Sequence, residues 1–347
     1  MDSLTQAVLG AGVAEVTLGH KIGNKALLIG ALIGTIPDLD VLFTGFYSEA
    51  DGLLVHRGFS HSIVFSLLLS PLLALLLVKI FRKTEVSFRK WWLMSFLVLV
   101  THPMLDTLTG YGTGFLEPLS AVRIEINSIA IIDVFYTLPF LTILIVLMFY
   151  GRNTLVRRNL GIWAISVSFA YLLLTLVHKP LIHREFRQSL ESQQLDFHRL
   201  RTSPMPLTNF LWMGIAESEG GYYMGLYSIF DRKNNILFQY IPRNEDLISS
   251  FSESHSVRQL KRFSKGYYSV NRSGSDSLIF NDLRFGRMGF DRDDPFVFSF
   301  YLECGPADCE VHRSGMSGRS FTVSAYLNRI FGIITPENTA ATTVLAP

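Results

Sequence analysis

The run Trp91-Trp92-Leu93-Met94-Ser95-Phe96-Leu97-Val98-Leu99-Val100-Thr101-His102-Pro103-Met104-Leu105-Asp106 joins an apolar helix to two metal-ligand side chains at its end. Ionisable residues inside such a segment are costly in a bilayer and there mark functional sites. His102 and Asp106 stand four apart, on one face of a helix. Either both bind a metal, or Asp106 orients the imidazole from behind. A buried His–Asp pair that braces helices is the plainer alternative. Pro103 is expected to kink the helix or start it.

Outward from this run, the apolar character is concentrated before about residue 180. Mean hydropathy is +0.30. Only 17% of the 347 residues are charged, where a soluble domain carries about 25%. A membrane protein is therefore the starting class. The net charge of +2 and the lack of a long basic run exclude nucleic acid as an expected partner. Spans are expected at Ser62–Ile80, Trp91–Leu105, Ile129–Tyr150 and Leu160–Val177, against the roughly 20 residues a crossing helix needs. Leu4–Leu18 and Ala26–Pro37 are shorter and read as spans or as a re-entrant hairpin. That gives about four to six membrane-embedded helices. Met1-Asp2-Ser3-Leu4 lacks a basic leader, so no removable signal peptide is expected.

Basic residues set the orientation. Lys21 and Lys25, then Lys79, Arg82, Lys83, Arg89 and Lys90, then Arg152, Arg157 and Arg158 occupy alternate loops. The positive-inside rule makes those loops cytoplasmic. The opposite ends carry Asp38, Asp40, His56, His61, His102, Asp106 and Asp133. Charge asymmetry thus gathers every candidate ligand at one membrane face without using the ligands themselves.

Pro37-Asp38-Leu39-Asp40 closes an apolar run, and alternate carboxylates there can reach one cation; a solvated turn is the bland reading. In His56-Arg57-Gly58-Phe59-Ser60-His61-Ser62 the histidine spacing fits a turn entering a helix. Gly58 is expected to take an unusual backbone angle, and Ser60 to cap the helix. Imidazole and carboxylate are ordinary ligands of Zn²⁺ and related ions, and Arg57 is suited to an anionic substrate group. Against this stands interfacial His and Arg contacting lipid headgroups. Asp133 and Gln6 are additional candidates at the same end. Glu15 is expected to pair with Lys21 or Lys25. His178 and His183 read as interfacial anchors, with a role as extra ligands the alternative.

From Arg184 the composition changes. Residues 184–202 read as linker or helix. Residues 203–335 read as a small extracytoplasmic α+β domain, with strands at Phe210–Ala216, Tyr222–Phe230, Ile236–Ile241 and Phe296–Leu302 and a helix at Ser252–Phe263. Residues 336–347 read as a disordered tail. Cys304 and Cys309 are expected to form a disulfide in an oxidising compartment, with free thiols as the alternative.

At these motifs the chain resembles the YdjM-like family of LexA-regulated, inner-membrane-bound metal-dependent hydrolases. The resemblance rests on Met1-Asp2-Ser3-Leu4-Thr5-Gln6, Gly34-Thr35-Ile36-Pro37-Asp38-Leu39-Asp40, the His56–Ser62 motif, and His102-Pro103-Met104-Leu105-Asp106-Thr107. Pro204-Met205-Pro206 with Asn209 and Leu211-Trp212 extends it to about residue 215. It implies a bacterial inner (cytoplasmic) membrane location and hydrolase activity, and supplies no substrate. Some relatives carry His where this chain has Gln6, so the resemblance does not extend a ligand role to position 6.

The sequence reading is then a multi-pass membrane domain over residues 1–183 holding a divalent metal, with Zn favoured. Asp38, His56, His61 and His102 are the first-choice ligands. Asp40 or Asp106 is a further ligand or the general base, and Arg57 holds an anion. The expected reaction is hydrolysis of a phosphoester or lipid-linked substrate at the outer face, with membrane lipids as partners. Two rivals stay open: a structural metal or ion-pair site in a non-enzymatic protein, and a cation transporter.

Overall fold

A computed structural model describes residues 1–231, 236–274, 277–305, 308–314 and 322–333. The residues expected to form a tail, 336–347, lie outside these. The chain divides into two compact units, Met1–Phe43 with Val55–Val177, and Thr44–Leu54 with His178–Pro347.

The first unit is helical. Helix α1 (Ser3–Ala14) runs into a π-helical turn, Glu15–Gly19, and the short α2 (His20–Ile22), then α3 (Asn24–Gly34). Asp2 caps α1 by accepting the Thr5 amide, and that cap satisfies a helix-end donor. Helices α1 and α3 meet backbone to backbone: a Cβ at Gly10 would overlap the Gly30 carbonyl oxygen. Only small residues permit this approach. A 3₁₀ turn, Pro37–Asp40, and α4 (Val41–Thr44) follow α3.

A second 3₁₀ turn, Phe59–His61, precedes α6 (Ile63–Ile80), which Ser62 caps by accepting the Phe65 amide at 3.0 Å. The expected cap, Ser60, is turned elsewhere; Gly58 takes the expected unusual backbone angle, φ −85° and ψ −128°, and Arg57 before it is left-handed (φ 58°). Helix α7 (Phe88–Thr107) continues through Pro103. Trp91, Met94, Val98, His102 and Leu105 are all buried on it. This three-to-four spacing carries the core stripe straight into the ligand positions, so His102 and Asp106 face inward for the same reason Trp91 does. Helix α8 (Val134–Leu147) starts at Asp133, whose Oδ1 accepts the Phe135 and Tyr136 amides. Helix α9 (Leu155–Ser192) has 38 residues, about 57 Å at 1.5 Å per residue; residues 184–192 are its last turns.

Three helical stretches among the described residues are long and apolar enough to cross a membrane: Asn24–Thr44, Ile63–Ile80 and Leu155–Ser192, with Val134–Leu147 shorter. Two buried apolar clusters knit the unit, one around Leu18, Trp91, Met94 and Leu99, the other around Tyr136, Phe140 and Leu147. Glu15 pairs with Arg157, not with Lys21 or Lys25. Its carboxylate accepts two guanidinium bonds, both 2.7 Å, and Asn24 accepts a third at 2.6 Å.

The second unit is built on two four-stranded antiparallel meanders rather than a mixed α+β layer. One is β1 (Arg199–Pro204), β2 (Leu211–Ser218), β3 (Gly221–Ser228) and β4 (Phe238–Pro242). The other is β5 (Tyr268–Ser273), β6 (Ser277–Arg287), β7 (Phe296–Cys304) and β8 (Cys309–Arg313). Helices are few and short: α5 (Glu49–Val55), α10 (Asp246–Ser249), α11 (His255–Phe263) and α12 (Val323–Ile330). Ala50 of α5 is buried with Ile248, Val257, Phe280 and Phe300. Phe186 of α9 packs over Gly214, where a side chain would collide with its ring. Cys304 and Cys309 are bonded across the β7–β8 hairpin.

Candidate metal centre

Four side chains from three chain segments converge. Asp38 comes from the turn after α3, His61 from the turn before α6, and His102 and Asp106 from the inward stripe of α7. One ligand atom from each lies within 4.8 Å of the other three. His61 Nε2 and His102 Nε2 are 3.1 Å apart. Asp38 Oδ1 is 3.3 Å from the first and 3.5 Å from the second. Asp106 Oδ2 is 3.3 Å and 3.7 Å from the same two atoms.

These five separations have a simple meaning. Zinc bonds nitrogen and carboxylate oxygen at about 2.0–2.2 Å, so neighbouring ligand atoms of a tetrahedral ion sit roughly 3.3 Å apart. The observed edges, 3.1 to 3.7 Å, straddle that value.

Proton placement points the same way. His102 Nδ1 donates to the Gly34 carbonyl at 2.6 Å. His61 Nδ1 donates towards Ser60 Oγ at 2.9 Å and Asp40 Oδ2 at 3.2 Å. In neutral imidazoles both Nε2 atoms then present lone pairs to each other and to two carboxylates. Four acceptors facing one another, 88% or more buried, form a group that could hold a cation between them. Asp106 Oδ2 is buried without a hydrogen-bond donor, as a ligand oxygen would be. The residues present fit a divalent ion.

Behind this set stands an orienting layer. Asp40 Oδ2 accepts from Ser60 Oγ at 2.6 Å and from the Arg57 amide at 3.0 Å. Its Oδ1 lies 2.7 Å from His56 Nδ1. Such carboxylate–histidine contacts fix ring orientation at metal sites. Asp106 Oδ1 accepts from Gln6 Nε2 at 2.9 Å and from the Met1 amino group. Arg57 donates to Thr109 Oγ1 at 3.1 Å and to the Met1 carbonyl at 3.2 Å, with its Nε 3.5 Å from Asp106 Oδ2. Tyr111 stacks beneath the guanidinium, 4.9 Å from its ring centre.

Of the residues the sequence singles out, Asp38, His61, His102 and Asp106 therefore meet at one point. Asp40, Arg57 and Gln6 surround it. His56 is held by Asp40 at the edge, its side chain 25% exposed. Asp133 has its partners elsewhere: besides capping α8 it accepts from the Tyr171 hydroxyl at 2.9 Å. His178 meets Asn209 at 3.0 Å in the second unit. Ser60 joins the site although the sequence marks it only as a helix cap, and Thr109, in a segment expected to shape the pocket through backbone amides, does so through its hydroxyl. Only the folded geometry gives these hydroxyls their partners.

Residues 1–182 match the family described as YdjM inner membrane protein. The chain belongs to this family. It is an inner membrane protein, and the ligand-bearing unit falls within the matched segment. The chain is similar to Inner membrane protein YbcI of Escherichia coli (strain K12), 30% identical over 170 residues, which is 45% of this chain and 90% of that one. It is also similar to YfhP of Bacillus subtilis (strain 168), named as an uncharacterized protein, at 26% identity over 199 residues; that match covers 55% of this chain and 60% of YfhP. No solved structure matches the chain.

Proposed function

We propose that this inner membrane protein is a metal-dependent hydrolase whose divalent ion, Zn²⁺ by ligand type, is held by Asp38, His61, His102 and Asp106. The convergence of four ligand atoms, all within 4.8 Å of one another, carries this reading. An ion there supplies Lewis acidity, which polarises a scissile ester and acidifies water. The chain's own groups do the rest. Asp40 holds Nδ1 of His56, which leaves Nε2 free to accept a proton at the exposed edge. Arg57 and Gln6 fix Asp106. The substrate class is a phosphoester or lipid-linked ester at the outer face of the membrane. Two observations support that side: the basic residues occupy the loops at the other end of the helices, and the Cys304–Cys309 disulfide suits an oxidising compartment.

A structural centre is the second reading, and one observation favours it. Four protein ligands can close a tetrahedral shell, whereas catalytic zinc keeps an open position. Asp38 decides between them, because it alone of the four is not fully buried. Metal analysis of the purified wild type, His61→Ala and Asp38→Ala, with a phosphoester and lipid hydrolysis screen, is the test. Unchanged metal in both variants sinks the site. Metal loss with no wild-type turnover on any substrate leaves the structural reading.

A further inference from the structure

The ligand Asp38 sits among exposed apolar residues. Along the candidate span Asn24–Thr44, Leu28, Leu32, Leu39, Leu42 and Phe43 are 50–68% exposed. Leu28 and Leu32 are four apart on α3, Leu39 is on the 3₁₀ turn and Leu42 and Phe43 are on α4. Exposed apolar residues therefore occur on α3, on the turn that carries Asp38 and on α4. Leu39 lies between the ligand Asp38 and the orienting Asp40, and is 50% exposed where Asp40 is 7%. Ser3 Oγ donates to Asp38 Oδ2 at 3.2 Å, and the next residue, Leu4, is 58% exposed. The least buried ligand is therefore bordered by leucines.

Resting on the hydrolase reading above, we propose that the centre draws its substrate sideways from the bilayer: a phospholipid-type amphiphile whose phosphoester head reaches the ion past Asp38 while its chains lie along Leu4, Leu39, Leu42 and Phe43. A water-soluble ester would meet these apolar side chains at the mouth and gain nothing from them. A membrane lipid already has its chains in hydrocarbon, and Leu39, Leu42 and Phe43 belong to a candidate membrane span. Leu4 and Leu39 then set specificity for chain-bearing substrates.

The full chain in proteoliposomes tests this. Leu4→Cys and Leu39→Cys, each carrying a nitroxide, are probed for collisions with oxygen and with a water-soluble nickel chelate. Cys304 and Cys309 are bonded and take no label. Oxygen access exceeding chelate access at both positions is expected, and the reverse at either overturns the lateral mouth whatever the hydrolysis screen returns. Kinetically, Leu39→Asn should raise KM for vesicle phospholipid about tenfold or more, the weight of one buried leucine, with kcat little changed. An unchanged KM overturns the role of Leu39. Metal-loaded wild type that cleaves a water-soluble phosphoester but no phospholipid overturns the lipid assignment and leaves the hydrolase reading standing.

Discussion

Asp38 and Asp40 are two residues apart, and the structure gives them different work, so paired substitutions separate them. Asp38→Ala removes one of the four converging atoms. Asp40→Ala removes none, but it takes away the acceptor shared by His56, Ser60, His61 and the Arg57 amide, at 2.7, 2.6, 3.2 and 3.0 Å. The proposed ligand His61 then keeps only Ser60 Oγ to fix its ring. Loss of such an outer partner weakens metal binding by about 10–100-fold. Ser60→Ala should do less, because Asp40 still reaches His61 Nδ1. The assay is a competitive chelator titration of purified protein, with bound metal counted by mass spectrometry. Asp40→Ala should bind metal at full stoichiometry with an affinity lowered by one to two decades, whereas Asp38→Ala should fall below stoichiometric binding under the same chelator. Identical loss in both variants would make Asp40 a ligand. No change in Asp40→Ala would refute the orienting role, and with it the proton placement that argues for the ion.

Three further outcomes follow from other parts of the chain. Arg157→Ala leaves Glu15 buried and unpaired, which should cost about 3–5 kcal/mol; pairing Arg157→Met with Glu15→Gln should recover much of that in thermal melts. Burial works against the charge of Glu217, but hydrogen bonds from Arg199 and Arg243 outweigh it and hold its pKa below the ordinary value. A carboxylate so lowered adds stability that is complete above its unfolded pKa, about 4.3, and is lost as pH falls through the folded one. Acid titration of the β unit should therefore show a loss below that pH that Glu217→Gln lacks, and parallel curves would refute the pairing. Replacing Cys304 and Cys309 by Ser should cost about 2 kcal/mol by the loop-closure relation for so short a loop, read by denaturant melts, and the unreduced wild type should show no reactive thiol.

Much of the site was legible because two signals agreed. His102 and Asp106 lie on the buried stripe that begins at Trp91, so an apolar period of three to four already aims them inward. Asp38 and His61 were marked by their cost in apolar sequence. What spacing could not show was the partition of roles. Asp38 and Asp40 look alike in the chain, and so do His56 and His61. A 3₁₀ turn sends alternate side chains to different neighbours, and the left-handed Arg57 turns His56 away from the point His61 reaches. Arg57 read as an anion clamp because its partners, Thr109 and the Met1 carbonyl, are distant in sequence. In the second unit, apolar strands such as β2 and β3 announced themselves. Strand β5, with Asn271 and Arg272 exposed, and β6, carrying Asn281, Asp282 and Arg284, did not. Asp282 and Arg284 are buried as a pair at 2.7 Å, with Arg284 stacked 4.6 Å over Phe263. Polar residues that satisfy each other inside a sheet erase the alternation by which strands are read.

The same mutual satisfaction explains how so much charge is held in the helical unit. Glu15 and Arg157 close on each other and on Asn24, and Asp133 is consumed by two amides and the Tyr171 hydroxyl. Asp40 is spent on four donors. The centre is where this completeness fails: Asp106 Oδ2 and Gln6 Oε1 are buried with no donor, and two imidazole lone pairs face two carboxylates. An unsatisfied cluster of that kind is costly, and a divalent cation removes the cost by neutralising both carboxylates at once. Because the other buried acids need no such help, the deficit at Asp38, His61, His102 and Asp106 is specific to the point where the ion fits.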